Sequence, residues 1–146
     1  MKKRPDWNEY FMSLAFAIAE RSTCLRRSVG AIAVKDKQIL ATGYNGAPTG
    51  YEHCIDSNEC LRDRLQIPSG ENTELCLGCH AEQNVICQAA KHGISLNNAE
   101  LYCTTFPCVL CMKNILNAGF SKVYYRIDFE DHLNKKLAAK IECQKI

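Results

Sequence analysis

Ten of the 146 residues are cysteines, and that density constrains the fold before any other feature does. Cysteines in such number serve either a disulfide framework or metal and thiol chemistry. The chain is 47% hydrophobic and 23% charged, ordinary values for a globular domain that can bury its own core. A core of that kind needs no disulfides, so the cysteines point to metal binding or catalysis. The longest apolar stretch, residues 11–19, is far short of a membrane span, and Glu9 and Glu20 flank it. Asp6 and Glu9 follow the basic start Met1-Lys2-Lys3-Arg4 with no cleavage-like site, so no signal peptide is read and the expected location is cytoplasmic. A net charge of +2 carries no footprint of a polymeric nucleic-acid partner, although a local basic spot could still hold a small phosphorylated ligand.

The length suits one domain over residues 1–146. Trp7, Tyr10, Phe11, Leu14, Ala17 and Ile18 recur at helical spacing, with Pro5 suited to a first turn. Residues 29–34 and 38–43 read as a hairpin around Asp36-Lys37, followed by a loop marked by Asn45-Gly46, Pro48 and Gly50. Residues 51–79 form a cysteine-rich insert with no strong period, unusual in a compact domain unless something pins it. A helix over 80–92, a strand over 101–105, a helix from Pro107 to Ala118, a strand over 122–126 and a helix from Glu130 to about Lys140 complete the pattern. The order αββαβαβα predicts an α/β fold: a mixed, mostly parallel sheet with helices on both faces.

Two fragments carry the chemistry: His80-Ala81-Glu82 and Pro107-Cys108-Val109-Leu110-Cys111. Pro107 suits a helix N-terminus, and residues three apart share a helical face, so Cys108 and Cys111 can hold one ion. The helix N-terminus also favours the thiolate form that zinc requires. With His80 as third ligand, the fourth tetrahedral position stays open for water, which marks a catalytic rather than a structural zinc. Glu82 is two residues from His80 and need not be a ligand. It can stand beside the water, whose pKa zinc lowers from about 15.7 to about 7, and shuttle its proton. Together the fragments match the H-x-E and P-C-x-x-C signature of zinc deaminases.

These residues resemble the cytidine/deoxycytidylate deaminase superfamily, most closely its dCMP deaminases. Arg21-Ser22-Thr23-Cys24, Val29-Gly30-Ala31, residues 42–48 (Thr-Gly-Tyr-Asn-Gly-Ala-Pro), His80-Ala81-Glu82-Gln83-Asn84, residues 104–108 and Ala118-Gly119 carry the likeness. The G-Y-N-G-x-P segment discriminates best: free cytidine deaminases usually have Cys where His80 stands, and transfer-RNA adenosine deaminases lack the loop and its cysteine-rich insert. The resemblance implies a three-layer cytidine-deaminase-like fold and hydrolysis of dCMP to dUMP and ammonia, a supply of dUMP for thymidylate synthesis. Zinc-bound hydroxide is then expected to attack the amine-bearing ring carbon, with Glu82 as proton shuttle. It implies that Asn45 hydrogen-bonds the sugar as well as shaping the turn, and that Ala81 and Thr105 meet the pyrimidine edge. Phe129 stands where many relatives have Tyr and is read either as a stacking partner or as plain core. Arg26 is a candidate for phosphate, of substrate or effector. The resemblance further implies a homohexamer and control by dCTP, with magnesium, and by dTTP; Arg27, Gly46 and Gly50 are the candidate effector contacts.

Cys24, Cys54, Cys60 and Cys76 form a second candidate metal group. Zinc held by four thiolates would pin the insert and supply folding energy that its apolar residues lack. The resemblance supports this, since some dCMP deaminases carry a second zinc with ligands matching Cys24 and Cys54. His53 and Cys79 are alternatives to Cys60 or Cys76. Cys87 and Cys103 read as core, Cys143 as loosely exposed, His92 as a helix-end residue and His132 as surface. Two rival functions stand beside this one: a deaminase of cytosine, guanine, blasticidin or transfer-RNA adenosine, and a non-catalytic, zinc-stabilised deoxynucleotide-binding protein.

Overall fold

The structure is a computed structural model that describes residues 3–146. Helix α1 (Trp7–Ala19) starts where the Asp6 carboxylate accepts from the Glu9 N–H at 2.9 Å. Strands β1 (Gly30–Lys35) and β2 (Gln38–Tyr44) form the expected hairpin, with Asp36 and Lys37 both at positive φ in its turn. The insert is not structureless. It contains the short helices α2 (Cys54–Ser57) and α3 (Leu61–Arg64) and a 3-10 turn at Thr73–Leu75. Helix α4 (Ala81–Lys91), strand β3 (Glu100–Thr105), helix α5 (Val109–Ala118) and strand β4 (Lys122–Ile127) follow as predicted. After a 3-10 turn at His132–Asn134, the expected C-terminal helix shrinks to α6 (Lys135–Ala138), and the chain ends in β5 (Glu142–Lys145), a strand with no strong signal.

The sheet has the order β2-β1-β3-β4-β5. The α/β class and the mixed sheet hold, but parallel pairing is half of it rather than most. Both β1–β2 and β1–β3 are antiparallel, while β3–β4 and β4–β5 are parallel. The added antiparallel pair arises because β3 returns to β1 through the insert and α4, a connection whose direction no local pattern encodes.

Period-two alternation distributes the strands' side chains between two cores. Ala31, Ala33, Leu101, Cys103 and Val123 face α4 and α5, where they meet Ala81, Val85, Cys111, Met112 and Ile115. Ile32, Val34, Tyr102 and Tyr124 face α1, where they meet Phe11, Met12 and Ala15. The result is three layers, helix–sheet–helix. Cys103 is buried as expected, but Cys87 is exposed: it lies on the α4 face turned away from the sheet.

Gly43 sets how closely α4 lies on β2. A Cβ there would stand 2.3 Å from the Ala81 carbonyl oxygen and 2.6 Å from the Val85 nitrogen. Both are backbone atoms, so the helix itself would have to move. Gly43→Ala is therefore expected to destabilise the fold by about 1–3 kcal/mol, as overpacking does. A denaturant midpoint equal to that of the unsubstituted protein would contradict this close approach.

Candidate active site

The two sequence fragments meet at the side of the sheet where β2 and β3 end and β1 begins. His80 is the N-cap of α4, and its backbone N–H donates to the Gln83 side chain at 2.8 Å. Cys108 is the N-cap of α5, and Cys111 lies one turn later. The His80 ring Nδ1 is 3.2 Å from the Cys111 sulfur and 3.4 Å from the Cys108 sulfur. Among the described residues, these three are the group whose ligand atoms all lie within 4.8 Å of one another. A histidine nitrogen and two sulfurs converging at two helix ends fit a zinc site with one position left open.

The electrostatics of the three are coupled. The Cys108 thiol is pulled down to about 4, chiefly by the hydrogen bond from the Cys111 thiol and then by His80. Cys111 is pushed up because it is the donor in that bond and is buried. His80 is raised by its hydrogen bond to Cys108. Without metal, then, Cys108 is the thiolate while Cys111 and His80 hold protons above their ordinary ranges. Zinc needs Cys111 ionised and His80 neutral, so its uptake must release protons. Zinc affinity is expected to rise with pH, with proton release detectable in weak buffer. Affinity that does not change with pH, measured by chelator competition, would contradict this assignment.

Glu82 is 5% exposed, and burial raises its carboxyl above the usual carboxylate range. A carboxyl that holds its proton more tightly than usual is suited to both taking and returning one during catalysis. Cys103 is fully buried beside it; burial first and the Glu82 charge second push that thiol up.

A cavity of about 430 Å³ opens onto this group, a size suited to a small ligand. His80, Ala81, Glu82, Asn45, Gly46, Arg26, Arg27, Thr105, Cys108 and Phe129 all line it. Gly50 does not; it borders a second cavity with Gly46, His53 and the β2 residues Thr42 to Tyr44, so the three candidate effector residues do not share one site. Asn45 is heavily engaged within the fold. Its Oδ1 accepts from Ser22 Oγ at 2.6 Å and from the Val29 N–H at 2.8 Å, and its Nδ2 donates to the Arg27 carbonyl at 2.9 Å. Next to it, Gly46 and Cys79 exchange two backbone hydrogen bonds, which ties this loop to the residue before His80. Phe129 belongs to neither core cluster; it lies under the Arg27 guanidinium, 5.0 Å from ring centroid to charge.

Arg26 donates to the Ile67 carbonyl and pairs with Asp63, yet its Nη1 is buried with no partner. A third arginine, Arg62, escaped the sequence reading. It is 9% exposed, lines the cavity, and donates to the carbonyls of Pro68 and Glu71 from within the insert. Cys24, Cys54, Cys60 and Cys76 line the same cavity. Cys54 is raised by burial and then by the charges of Cys60, Cys24 and Cys76, so the four are neighbours. No three of them come within the 4.8 Å that the His80 group meets. His53 faces the second cavity, and Cys79 feels Cys87 and Cys76.

A metal centre of one histidine and two cysteines with a buried glutamate alongside, set at helix ends over a mixed sheet, is the build of a zinc-dependent hydrolytic deaminase. The chain matches the cytidine and deoxycytidylate deaminase zinc-binding region over residues 5–127, and it belongs to that family. It is 41% identical over 130 residues to ComE operon protein 2 of Bacillus subtilis, covering 89% of this chain and 64% of that protein. It is 38% identical over 126 residues to the deoxycytidylate deaminase of Schizosaccharomyces pombe, covering 86% of this chain and 38% of that one. The chain thus spans less than two thirds of the length of both curated relatives. Among solved structures it is similar to the dCMP deaminase of cyanophage S-TIM5 in complex with dCMP and dUMP, with a TM-score of 0.80, 34% identity, and coverage of 99% of this chain and 100% of that one.

Proposed function

We propose that the chain is a dCMP deaminase that converts dCMP and water to dUMP and ammonia, working as a single domain over residues 1–146. The observation that carries this reading is the buried Glu82 carboxyl beside the His80–Cys108–Cys111 group, at the floor of a cavity that three arginines also line. When bound, zinc supplies a Lewis acid that makes a water acidic near neutral pH. Glu82 takes one proton from the attacking water and gives it to the ring nitrogen as the water oxygen bonds to the amine-bearing carbon, then carries the remaining hydroxyl proton to the amine as the C–N bond breaks and ammonia leaves. Ala81 and Thr105 border the base, and Phe129, held under Arg27, offers a ring face to it. Arg26, whose guanidinium lines the cavity, is the group suited to the 5′-phosphate, with charge-assisted hydrogen bonds as the attraction. Asn45 keeps one amide hydrogen for the sugar. The test is turnover of dCMP in heavy-oxygen water: the label must appear in dUMP with stoichiometric ammonia, and unlabelled product would overturn the hydrolytic reading.

The same reading extends to a second, structural zinc at Cys24, Cys54, Cys60 and Cys76, which would draw four neighbouring thiols together and pin residues 51–79. Zinc above one per chain supports it, and a value of one removes it. Homohexamer assembly and control by dCTP with magnesium and by dTTP rest on the family. A cytoplasmic location is read from cysteines grouped for metal binding rather than for a disulfide framework, the usage usual in reducing compartments. Among the described residues, no helix is long and apolar enough to cross a membrane.

A further inference from the structure

We propose that Asp131 and Asn134 are positioning residues for the metal centre: they fix the turn Pro107-Cys108-Val109, and so the aim of its thiolate, from a segment 22 to 27 residues further along the chain. A helix N-terminus leaves backbone N–H groups without partners, and an N-cap side chain ordinarily accepts from one of them. Cys108 occupies the N-cap of α5 but forms no close cap bond; the Cys111 N–H leans toward its sulfur and helps to lower its pKa without closing a proper cap. The cap comes from elsewhere. Asp131 Oδ2 accepts from the Val109 N–H at 2.8 Å, and its Oδ1 accepts from the Leu133 N–H at 3.1 Å, which holds the carboxylate in place.

Asn134 secures the other side of the ligand. Its Nδ2 donates to the Pro107 carbonyl at 2.6 Å, across a separation of 27 residues. Asn134 is 1% exposed, and its Oδ1 finds no partner. An unsatisfied buried oxygen costs about 1–3 kcal/mol, so an apolar side chain of the same volume would suit packing better. What the amide adds is the donor to Pro107. The residues before and after Cys108 are therefore both gripped by one segment, and Cys108 itself is left to the metal. Groups that orient a ligand in this way commonly change metal affinity about 10- to 100-fold when removed. Phe129 to Leu133 of the same segment also line the cavity, so the grip sets the thiolate against the wall that meets substrate.

The proposal rests on the zinc reading, and its test separates the two. Zinc affinity would be measured by chelator competition on the full chain, alongside the thiolate-to-metal absorption of the cobalt(II)-substituted protein. Asp131→Ala is expected to weaken zinc binding about 10- to 100-fold and to shift the cobalt bands. Asp131→Asn, which keeps an acceptor for Val109, is expected to recover most of both. If Asp131→Ala does not fold, Asn134→Leu removes the donor at nearly constant volume and is expected to show the same weakening and the same spectral shift. Unchanged affinity and bands in whichever variant folds would overturn the proposal. So would weakening that Asp131→Asn fails to recover, since that is bulk destabilisation. An unsubstituted protein that binds no zinc would overturn the zinc reading itself, and this inference with it.

Discussion

Glu82→Ala is expected to keep its zinc and lose about 10² to 10⁴ in the rate of deamination, the usual cost of removing a general acid–base group. Glu82 is two residues from His80, on the first turn of α4, and it is not among the three side chains that converge as ligands. Its removal therefore leaves the donor set whole. The lost contribution is proton transfer: among the described residues that line the cavity, Glu82 is the one buried carboxyl. Cys103 is adjacent but held strongly protonated. Metal analysis and turnover on the same sample check the prediction. Near-normal turnover with zinc bound would remove Glu82 from the mechanism, and loss of zinc together with rate would make it a ligand or a folding residue instead.

The second large effect concerns the phosphate. Arg26→Ala is expected to lower kcat/KM for dCMP by about 10- to 100-fold, the worth of a hydrogen bond to a charged group. Its effect on deoxycytidine, which has no phosphate, should be small, so the preference for nucleotide over nucleoside collapses. Arg26 also holds the insert through Asp63 and the Ile67 carbonyl, and that role must be separated. Asp63→Asn serves as the control. The ion pair is half exposed on the carboxylate side, at 55%, and pairs of that kind contribute about 1 kcal/mol or less. Asp63→Asn should leave the preference intact. Equal losses on dCMP and deoxycytidine in Arg26→Ala would mean that the arginine acts through the fold.

What the sequence revealed and what it hid divide along separation in the chain. His80, Glu82, Cys108 and Cys111 were legible because each pair is two or three residues apart, and helical geometry converts such spacing directly into shared faces. Their joint presence then required only that two helix ends meet. The strands of the hairpin and the helices α1, α4 and α5 were legible for the same local reason. Arg62, Asp131 and Asn134 were not. Asp131 reaches Val109 across 22 residues and Asn134 reaches Pro107 across 27, and nothing in Glu130-Asp131-His132 announces such a contact. Strand β5 stayed hidden because Glu142-Cys143-Gln144-Lys145 is short and mostly polar, and it exists by pairing with β4 at the sheet edge. That pairing draws the chain into an extended form and leaves only four residues of the expected C-terminal helix, Lys135–Ala138.

The measurement that bears most directly on the central claim is ammonia release from dCMP, deoxycytidine, CMP and cytosine, assayed side by side with zinc content determined on the same preparation. Release confined to dCMP, with zinc bound, is the predicted result, since it requires the phosphate, the deoxyribose and the metal at once. Release from cytosine or deoxycytidine equal to that from dCMP, or zinc-loaded protein that releases ammonia from none of the four, would contradict it.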